Sequence, residues 1–196
     1  MWHEYGEMVA SETSSRRKRR PKRPLDDAAL KDLALAYVAR FATSSGKLRD
    51  YLRRKLRERG FDGPPPDIDA LVERYVALGY VDDAAFARNR EEGLRARGYG
   101  QRRVEMALRA AGIAEEIRAS VGPSEYDARH AAYRLAERRR FGPFGDPGDP
   151  GDRDRRQKQI AAMVRAGHSF DAARAMVEAP DIDSASEWVA EAEGTE

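Results

Sequence analysis

Apolar residues recur along the chain at the three-and-four spacing of amphipathic helices. In the first such segment, Leu30, Leu33, Tyr37 and Phe41 fall on one face, as the α-helical period requires. Further segments of this kind end at a set of glycines: Gly60, Gly79, Gly98, Gly112, Gly122 and Gly167. Short polar residues stand before several of them, with Ser45 as the expected cap of the second helix. No stretch alternates like a β-strand, so the pattern predicts an all-α fold.

Three helix ends resemble one another and predict an internal repeat. Residues 56–61, 108–113 and 163–168 can be superposed on Gly60, Gly112 and Gly167, which lie 52 and 55 residues apart. Each glycine suits the left-handed backbone that often follows a helix. A period of about 50 residues indicates one supersecondary unit used repeatedly. We therefore predict an elongated tandem array of three three-helix repeats, stacked because one unit buries its apolar faces poorly.

The expected boundaries follow from breaks in the helical pattern. We predict a disordered basic arm over 1–25, repeats over 26–79, 80–122 and 123–179, and an acidic tail over 180–196. The arm carries seven Lys or Arg residues between positions 16 and 23, which repel one another and bury nothing. Residues 142–152 alternate Gly, Pro and Asp, a composition that forbids a helix and predicts a loop inserted in the third repeat.

Composition narrows the class of protein. Hydrophobic residues make up 41% of the chain and charged residues 36%, which favours several small cores over one thick globule. No apolar run is long enough to span a membrane, and residues 1–10 lack the apolar core of a signal peptide. The absence of cysteine excludes disulfides and thiolate metal sites. These features predict a cytoplasmic protein.

Motifs of catalysis and metal binding are missing from the sequence. His3, His130 and His168 lack ligand spacing, and the aspartates of the 142–152 loop do not have the offsets of an EF-hand. There is no nucleophile elbow, phosphate-binding loop or dinucleotide fingerprint. We expect no catalytic residues, no metal and no cofactor, so the chain is not expected to be an enzyme.

Charge is distributed unevenly. Residues 1–60 hold 16 Lys or Arg against 8 Asp or Glu, a net charge of +8, and the remainder carries −6. Such asymmetry favours contact with a polyanion at one end, although two solvated tails would look the same. Arg49, Arg53 and Arg57 share a predicted exposed stripe at i, i+4 and i+8. The candidate residues for binding a partner or DNA are Arg49, Arg53, Arg54, Lys55, Arg57, Arg95, Arg97, Arg102, Arg103 and Arg109.

Four segments carry a shared signature. They read Arg-Arg-Lys-Leu-Arg-Glu-Arg-Gly-Phe at 53–61, Leu-Gly-Tyr-Val-Asp-Asp-Ala-Ala-Phe-Ala-Arg at 78–88, Gly-Tyr-Gly at 98–100 and Leu-Arg-Ala-Ala-Gly-Ile at 108–113. Together these segments resemble the RecX family. The resemblance covers about residues 28–122 and, more weakly, 125–178. The chain departs from the family at Tyr51-Leu52, where a Glu-Leu pair is usual, and at His168, where an aromatic residue is common.

The resemblance implies a function without catalysis. Members of that family have tandem three-helix repeats and lodge in the groove of a RecA–single-stranded-DNA filament. They inhibit strand exchange, ATPase and co-protease activity, and so modulate DNA repair and the SOS response. We expect a monomer that binds the RecA filament, and single- or double-stranded DNA through its basic faces. Two alternatives stay open: a helical protein that binds DNA directly, with salt-sensitive affinity for duplex, and a protein-only helical scaffold.

Overall fold

The computed structural model describes residues 23–145 and 153–193 and confirms an all-α fold. The described part contains one 3₁₀ turn, over Gly142–Phe144, and a single parallel bridge between Leu25 and Phe61 in place of any strand. Its helices are α1 (Asp27–Arg40), α2 (Ser45–Arg59), α3 (Ile68–Ala77), α4 (Asp83–Arg95), α5 (Gln101–Arg109), α6 (Glu115–Ser120), α7 (Glu125–Arg139), α8 (Arg153–Arg165), α9 (Phe170–Glu178) and α10 (Ile182–Ala190). Three stretches lie outside the described ranges. They are residues 1–22 of the predicted basic arm, residues 146–152 of the predicted loop, and the last three residues of the chain.

Short polar side chains begin most of these helices. An Asp or Ser at the N-cap accepts a hydrogen bond from the backbone N–H three residues later, satisfying a donor that the helix leaves free. The expected cap at Ser45 is wrong by one residue, because the Ser44 hydroxyl accepts from the Lys47 N–H at 3.2 Å. The N-caps of this kind are Asp26, Ser44, Asp67, Asp82, Ser124, Ser169 and Asp181.

Buried apolar side chains of the described residues form three separate cores. The first, among α1, α2 and α3, is built largely from leucines such as Leu30, Leu48 and Leu52. The second lies among α4, α5 and α6, and the third among α7, α8, α9 and α10. The limited apolar content is thus divided among small clusters. The division of the chain into three repeats stays a prediction.

The first core extends into the predicted basic arm. Leu25 is fully buried, its N–H donates to the Gly60 carbonyl at 3.0 Å, and its carbonyl accepts from the Asp62 N–H at 2.7 Å. The prediction that the arm continues to residue 25 is therefore wrong at its end. Burial of the leucine side chain, together with two backbone hydrogen bonds, holds this segment against the end of α2.

The predicted acidic tail contains a packed helix. In α10, Ala185 and Val189 are buried, and Ala192 follows them into the third core region. Arg129 of α7 donates to the Trp188 carbonyl at 2.6 Å and lies over the Trp188 ring at 4.6 Å. The acidic composition hid a short apolar face, and burial of that face against α7 explains why residues 182–190 are not an open tail.

The described start of the predicted insertion is also packed. Phe144 meets the Tyr133 ring edge-on at a centroid distance of 4.9 Å. The Gly142 N–H donates to the Gln159 side chain at 3.0 Å, and a Cβ on Gly142 would lie 2.7 Å from the Met176 carbonyl oxygen. Residues 142–145 are therefore a fitted 3₁₀ turn rather than an open loop.

None of the helices in the described ranges has the length and apolar character needed to span a membrane.

Candidate functional site

The candidate site is a row of three helices, α2, α5 and α8, in which the start of one helix contacts the end of the next. At the first junction, the Ser44 hydroxyl donates to the Ala111 carbonyl at 2.5 Å. The backbones of Gly46 and Gly112 approach so closely that a Cβ on Gly46 would lie 2.7 Å from the Gly112 Cα. The N-terminus of α2 therefore rests on the C-terminus of α5.

The second junction repeats this arrangement between α5 and α8. The Gly100 N–H donates to the Ala166 carbonyl at 3.0 Å, and the Arg102 N–H donates to the Gly167 carbonyl at 3.2 Å. A Cβ on Gly100 would lie only 2.4 Å from the Gly167 carbonyl carbon. Free N–H groups at one helix start meet free carbonyls at another helix end, and the opposed ends of the helix dipoles attract.

Side chains outside the row add further contacts. At the first junction, the Ser45 N–H and hydroxyl both donate to the Asp83 carboxylate, at 2.8 and 2.5 Å. Elsewhere, Arg95 of α4 pairs with Asp127 of α7 at 2.7 Å, which ties α4 to α7. Burial raises the pKa of Asp127, but the hydrogen bonds from Ser124 and the charge of Arg95 together hold that pKa below its usual value.

His168 belongs to the second junction. It is buried, and its Nε2 lies 2.9 Å from the Gly98 carbonyl oxygen. Burial lowers the pKa of His168, although the contact with Gly98 acts in the opposite direction. The departure from the family pattern at this position therefore places a buried histidine between α4 and α8. Within the described ranges, no group of three or more His, Cys, Asp or Glu residues is arranged to hold a metal ion.

The predicted stripe on α2 is partly neutralised by α3. Arg49 and Arg53 both bind the carboxylate of Asp69, at 2.5 and 3.0 Å. The hydrogen bond from Arg49 and the charges of both arginines lower the pKa of Asp69. Of the predicted exposed stripe at i, i+4 and i+8, Arg53 and Arg57 are exposed, and the prediction is wrong for Arg49, whose side chain is only 28% exposed. Arg57 has no ion pair among the described residues.

Arg54 and Lys55 lie beside the aromatic ring of Tyr51 on α2. Both pair with Glu58, at 3.7 and 2.7 Å, and both charged groups lie within 6 Å of the Tyr51 ring. Tyr51 stacks on Tyr37 at a centroid distance of 4.2 Å. The departure at Tyr51 from the family pattern thus creates a mixed basic and aromatic face.

Two of the basic residues that were predicted to bind a partner or DNA, Arg95 and Arg97, instead contact other residues of this protein. Arg95 binds both Glu91 and Asp127, and its side chain is only 21% exposed. Arg97 donates from Nε to the Gly93 carbonyl at 2.8 Å. These contacts assign Arg95 to the junction between α4 and α7, and they orient Arg97 along α4.

The basic residues of α5 are more accessible. Arg102 and Arg103 are exposed, and neither has a carboxylate within 4 Å in the described part of the chain. Arg103 lies over the Tyr99 ring at 5.9 Å. Arg109 pairs with Glu105 at 2.8 Å but stays 69% exposed. Because the ends of α2 and α5 touch, these residues and Arg57 stand on neighbouring members of one helical row.

The residues that build this row were missed in the sequence. Gly46 and Gly100 lie near the starts of helices, where glycine cannot serve to end a helix. A glycine at such a position was the one sign in the sequence of a close backbone contact. Their partners, Gly112 and Gly167, were recognised as helix ends. Pairing the two kinds of glycine required the tertiary structure, because 66 and 67 residues separate them.

Comparison with known proteins gives one consistent family. No family model matches the sequence. The chain is similar to the regulatory protein RecX of Myxococcus xanthus, at 32% identity over 83% of this chain and 92% of that protein. It is also similar to the regulatory protein RecX of Thermus thermophilus, at 40% identity over 46% of this chain and 61% of that protein.

A solved structure has the same fold. The crystal structure of RecX from Lactobacillus salivarius aligns with a TM-score of 0.61 and 15% identity, covering 77% of this chain and 94% of that chain. At this identity the structural likeness concerns the fold alone. The match to nearly the whole Myxococcus protein concerns the sequence itself, and it shows that this chain belongs to the RecX family.

Proposed function

We propose that this protein is a regulator that binds RecA and its filaments on single-stranded DNA and restrains their recombinase, ATPase and co-protease activities. The observation that carries the proposal is the sequence match to a RecX regulatory protein across 92% of that relative. The proposed role is to modulate DNA repair and the SOS response as a cytoplasmic monomer, by stoichiometric binding and without a cofactor.

The row of helices supports a filament as the target. α2, α5 and α8 are joined end to end, so contacts made along the row are presented at fixed spacing. A repeating polymer such as a filament can meet several of them at once. Weak individual contacts then add strongly, because each bound site raises the effective concentration of the next.

The proposed contact residues begin with the arginines that the fold leaves accessible. Arg57, Arg102 and Arg103 are exposed and have no ion pairs among the described residues, so no internal partner has to be displaced when they meet DNA phosphates or acidic recombinase surfaces. Arg54, Lys55 and Arg109, which are exposed or half-buried, are further proposed contact residues. Arg49, Arg53 and Arg95 are already bound to carboxylates and serve mainly to hold the fold.

The test is the ATPase rate of RecA on single-stranded DNA, titrated with the full chain. We expect the rate to fall. A fall at substoichiometric amounts favours a block of filament growth, whereas a fall only near saturation favours occupation of the groove. An unchanged rate with folded protein would contradict the proposed function.

Charge reversal tests whether the accessible arginines act at their own positions or only through the overall charge of the protein. The triple variant R57E/R102E/R103E should weaken inhibition at least tenfold while circular dichroism shows the same helix content. The matched control is R88E/R90E/R134E, which makes the same change of charge at exposed positions of α4 and α7. Equal inhibition by both variants would remove the basic row from the mechanism.

Direct DNA binding is a second candidate, favoured by Arg103 over Tyr99 beside the exposed Arg102. A guanidinium next to an aromatic ring can contact phosphate and base together. This function predicts binding of labelled duplex without RecA, with affinity that falls steeply as salt rises. Binding to RecA filaments without measurable affinity for free DNA would decide against it.

A further inference from the structure

A groove lies between α8, the last helix of the row, and α9. It has a volume of about 700 Å³ and a floor of Ile160, Ala161 and Val164. Phe170, the first residue of α9, stands at its rim with 58% of its surface exposed. The sequence places Phe170 with Ala173 and Val177 on the apolar face of α9, but only the latter two are buried, because the first turn of α9 projects beyond the third core.

Among the described residues, the charge around this groove is mainly positive. Arg153, Arg156, Arg165 and Arg174 line it, and Glu178 is the one acidic residue of that lining. Arg165 and Arg174 are exposed, and neither has a carboxylate within 4 Å in the described ranges. Arg174 lies over the Phe170 ring at 5.9 Å. Arg165 and Arg174 therefore flank the apolar floor as the cations best placed to bind anions.

This combination differs from an ordinary solvated face. Exposed apolar surface with a charged rim often marks an interaction site, and a large aromatic ring gains stability when a partner covers it. Arginine binds carboxylates with two parallel hydrogen bonds, which adds direction to the attraction. The groove consequently offers burial for apolar side chains and ion pairs for acidic ones.

We propose that the α8–α9 groove binds an acidic, amphipathic helical segment of a partner protein. The apolar face of such a helix would cover Ile160, Val164 and Phe170, and its flanking carboxylates would pair with Arg165 and Arg174. A helix laid in a groove is a recurrent mode of protein recognition. A nucleic acid fits less well, because the aliphatic floor offers phosphates no hydrogen bonds and Phe170 is the one aromatic side chain among the described residues of the lining. The proposal goes beyond the regulatory function, since it concerns α8 and α9 and needs no recombinase.

The experiment uses a fluorescein-labelled helical peptide of sixteen residues, with Leu on one face and Glu elsewhere. Fluorescence anisotropy with the full chain should give a Kd on the order of 1–100 μM, and the affinity should weaken as salt rises. Two control peptides keep the length: one replaces each Glu with Lys, and one scrambles the Leu positions. Both should bind at least tenfold more weakly.

Variants locate the binding site. R165E/R174E should weaken binding of the Glu peptide at least tenfold, and F170A should weaken it about fivefold, by loss of the covered ring. R88E/R90E makes the same change of charge on α4 and should bind as the wild type does. Phe170 is exposed, so F170A should retain the wild-type melting temperature.

Several outcomes would overturn the proposal. These are no binding of the Glu peptide, equal binding of the Lys peptide, and unchanged binding by R165E/R174E. Tighter binding of a single-stranded oligonucleotide of equal charge, lost in the same variant, would assign the groove to nucleic acid. Light scattering that shows a dimer dissociated by F170A would assign it to a second copy of this chain. None of these measurements involves RecA, so they fail or succeed independently of the ATPase test.

Discussion

The two junctions of the helical row share their backbone contact and differ in their side chains. At both, a glycine near the start of one helix touches the glycine that ends another, Gly46 with Gly112 and Gly100 with Gly167. The first junction is supported by serine hydroxyls and Asp83. The second relies on two backbone hydrogen bonds and on the buried His168.

This difference indicates that a junction requires the glycine contact, whereas the polar side chains around that contact can vary. Backbones that touch directly leave no space for a Cβ, so both sides require glycine. The polar groups around that contact must only satisfy the helix ends, and serine, aspartate, arginine or histidine can do so. We therefore expect the largest effects from the glycines and smaller ones from the side chains.

Filling the backbone contact should have the largest effect. Gly100→Ala should destabilise the protein by about 2–3 kcal/mol, because backbone atoms at 2.4 and 2.5 Å from the new Cβ cannot yield without opening the junction. Gly46→Ala should cost about 1–2 kcal/mol, since its clash is similar but alanine favours the helix that contains it. Denaturant unfolding measures both free energies.

Gly93→Ala is the matched control for these substitutions. Gly93 lies within α4 and a Cβ there would meet nothing within 4 Å, so alanine should stabilise by about 0.5–1 kcal/mol through helix propensity alone. Equal stability of the Gly93 and Gly100 variants would show that the second junction is not closely packed in solution.

Loss of a serine hydroxyl should weaken the first junction next. Ser44→Ala removes both the N-cap of α2 and the donor to the Ala111 carbonyl, for an expected loss of about 2 kcal/mol. Ser169→Ala removes an N-cap from α9 by the same chemistry and should cost about 1 kcal/mol. Identical losses in thermal or denaturant unfolding would mean that the bond to Ala111 adds nothing.

Acid should act on the second junction through His168. Because burial lowers its pKa in the folded state, the unfolded chain takes up the proton first as the pH falls below about 6.5. Stability is full above that pH and should fall by at most about 1.4 kcal/mol per pH unit below it, until the folded histidine also protonates. Denaturant unfolding between pH 7.5 and 5.5 tests this dependence.

A glutamine substitution assigns the pH dependence. His168→Gln should flatten it, since glutamine does not titrate. A wild-type slope in the His168 variant would remove this residue as the source.

The smallest expected effect is at the ion pair that joins α4 to α7. Arg95→Gln should cost about 0.5–1 kcal/mol by loss of the contact with Asp127, because the pair is only partly shielded from solvent. Arg90→Gln, at an exposed position of the same helix, should change stability by less than about 0.5 kcal/mol. A loss above about 2 kcal/mol at Arg95 would show that this ion pair stabilises the protein as much as the glycine contact of the second junction does.

Much of the fold could be predicted from local patterns. Spacing of apolar residues predicted three three-helix repeats and so nine helices, and short polar residues before several segments marked helix starts because such side chains bond the backbone nearby. α10 was not predicted, since its buried alanines and Val189 are too few to stand out among acidic neighbours. Its stability comes from α7, a partner that adjacent residues do not reveal.

The candidate site was predictable in composition but not in arrangement. The ten basic positions were named from the sequence, and their outward bias follows from the helical period. Which of them are occupied by internal partners was not visible, because Asp69 lies 20 residues from Arg49 and Asp127 lies 32 from Arg95. The α8–α9 groove was not predicted either, since the exposure of Phe170 depends on where the third core ends.

The sequence by itself determined the helices other than α10, the short polar residues that stand before several of them, the positions of the helix-ending glycines and the resemblance to the RecX family, all of which depend on residues close together in the chain. The tertiary structure decided which glycine meets which, which arginines stay accessible and where apolar surface is left uncovered. Those properties arise from contacts between residues far apart in sequence, whose pairing no local pattern specifies.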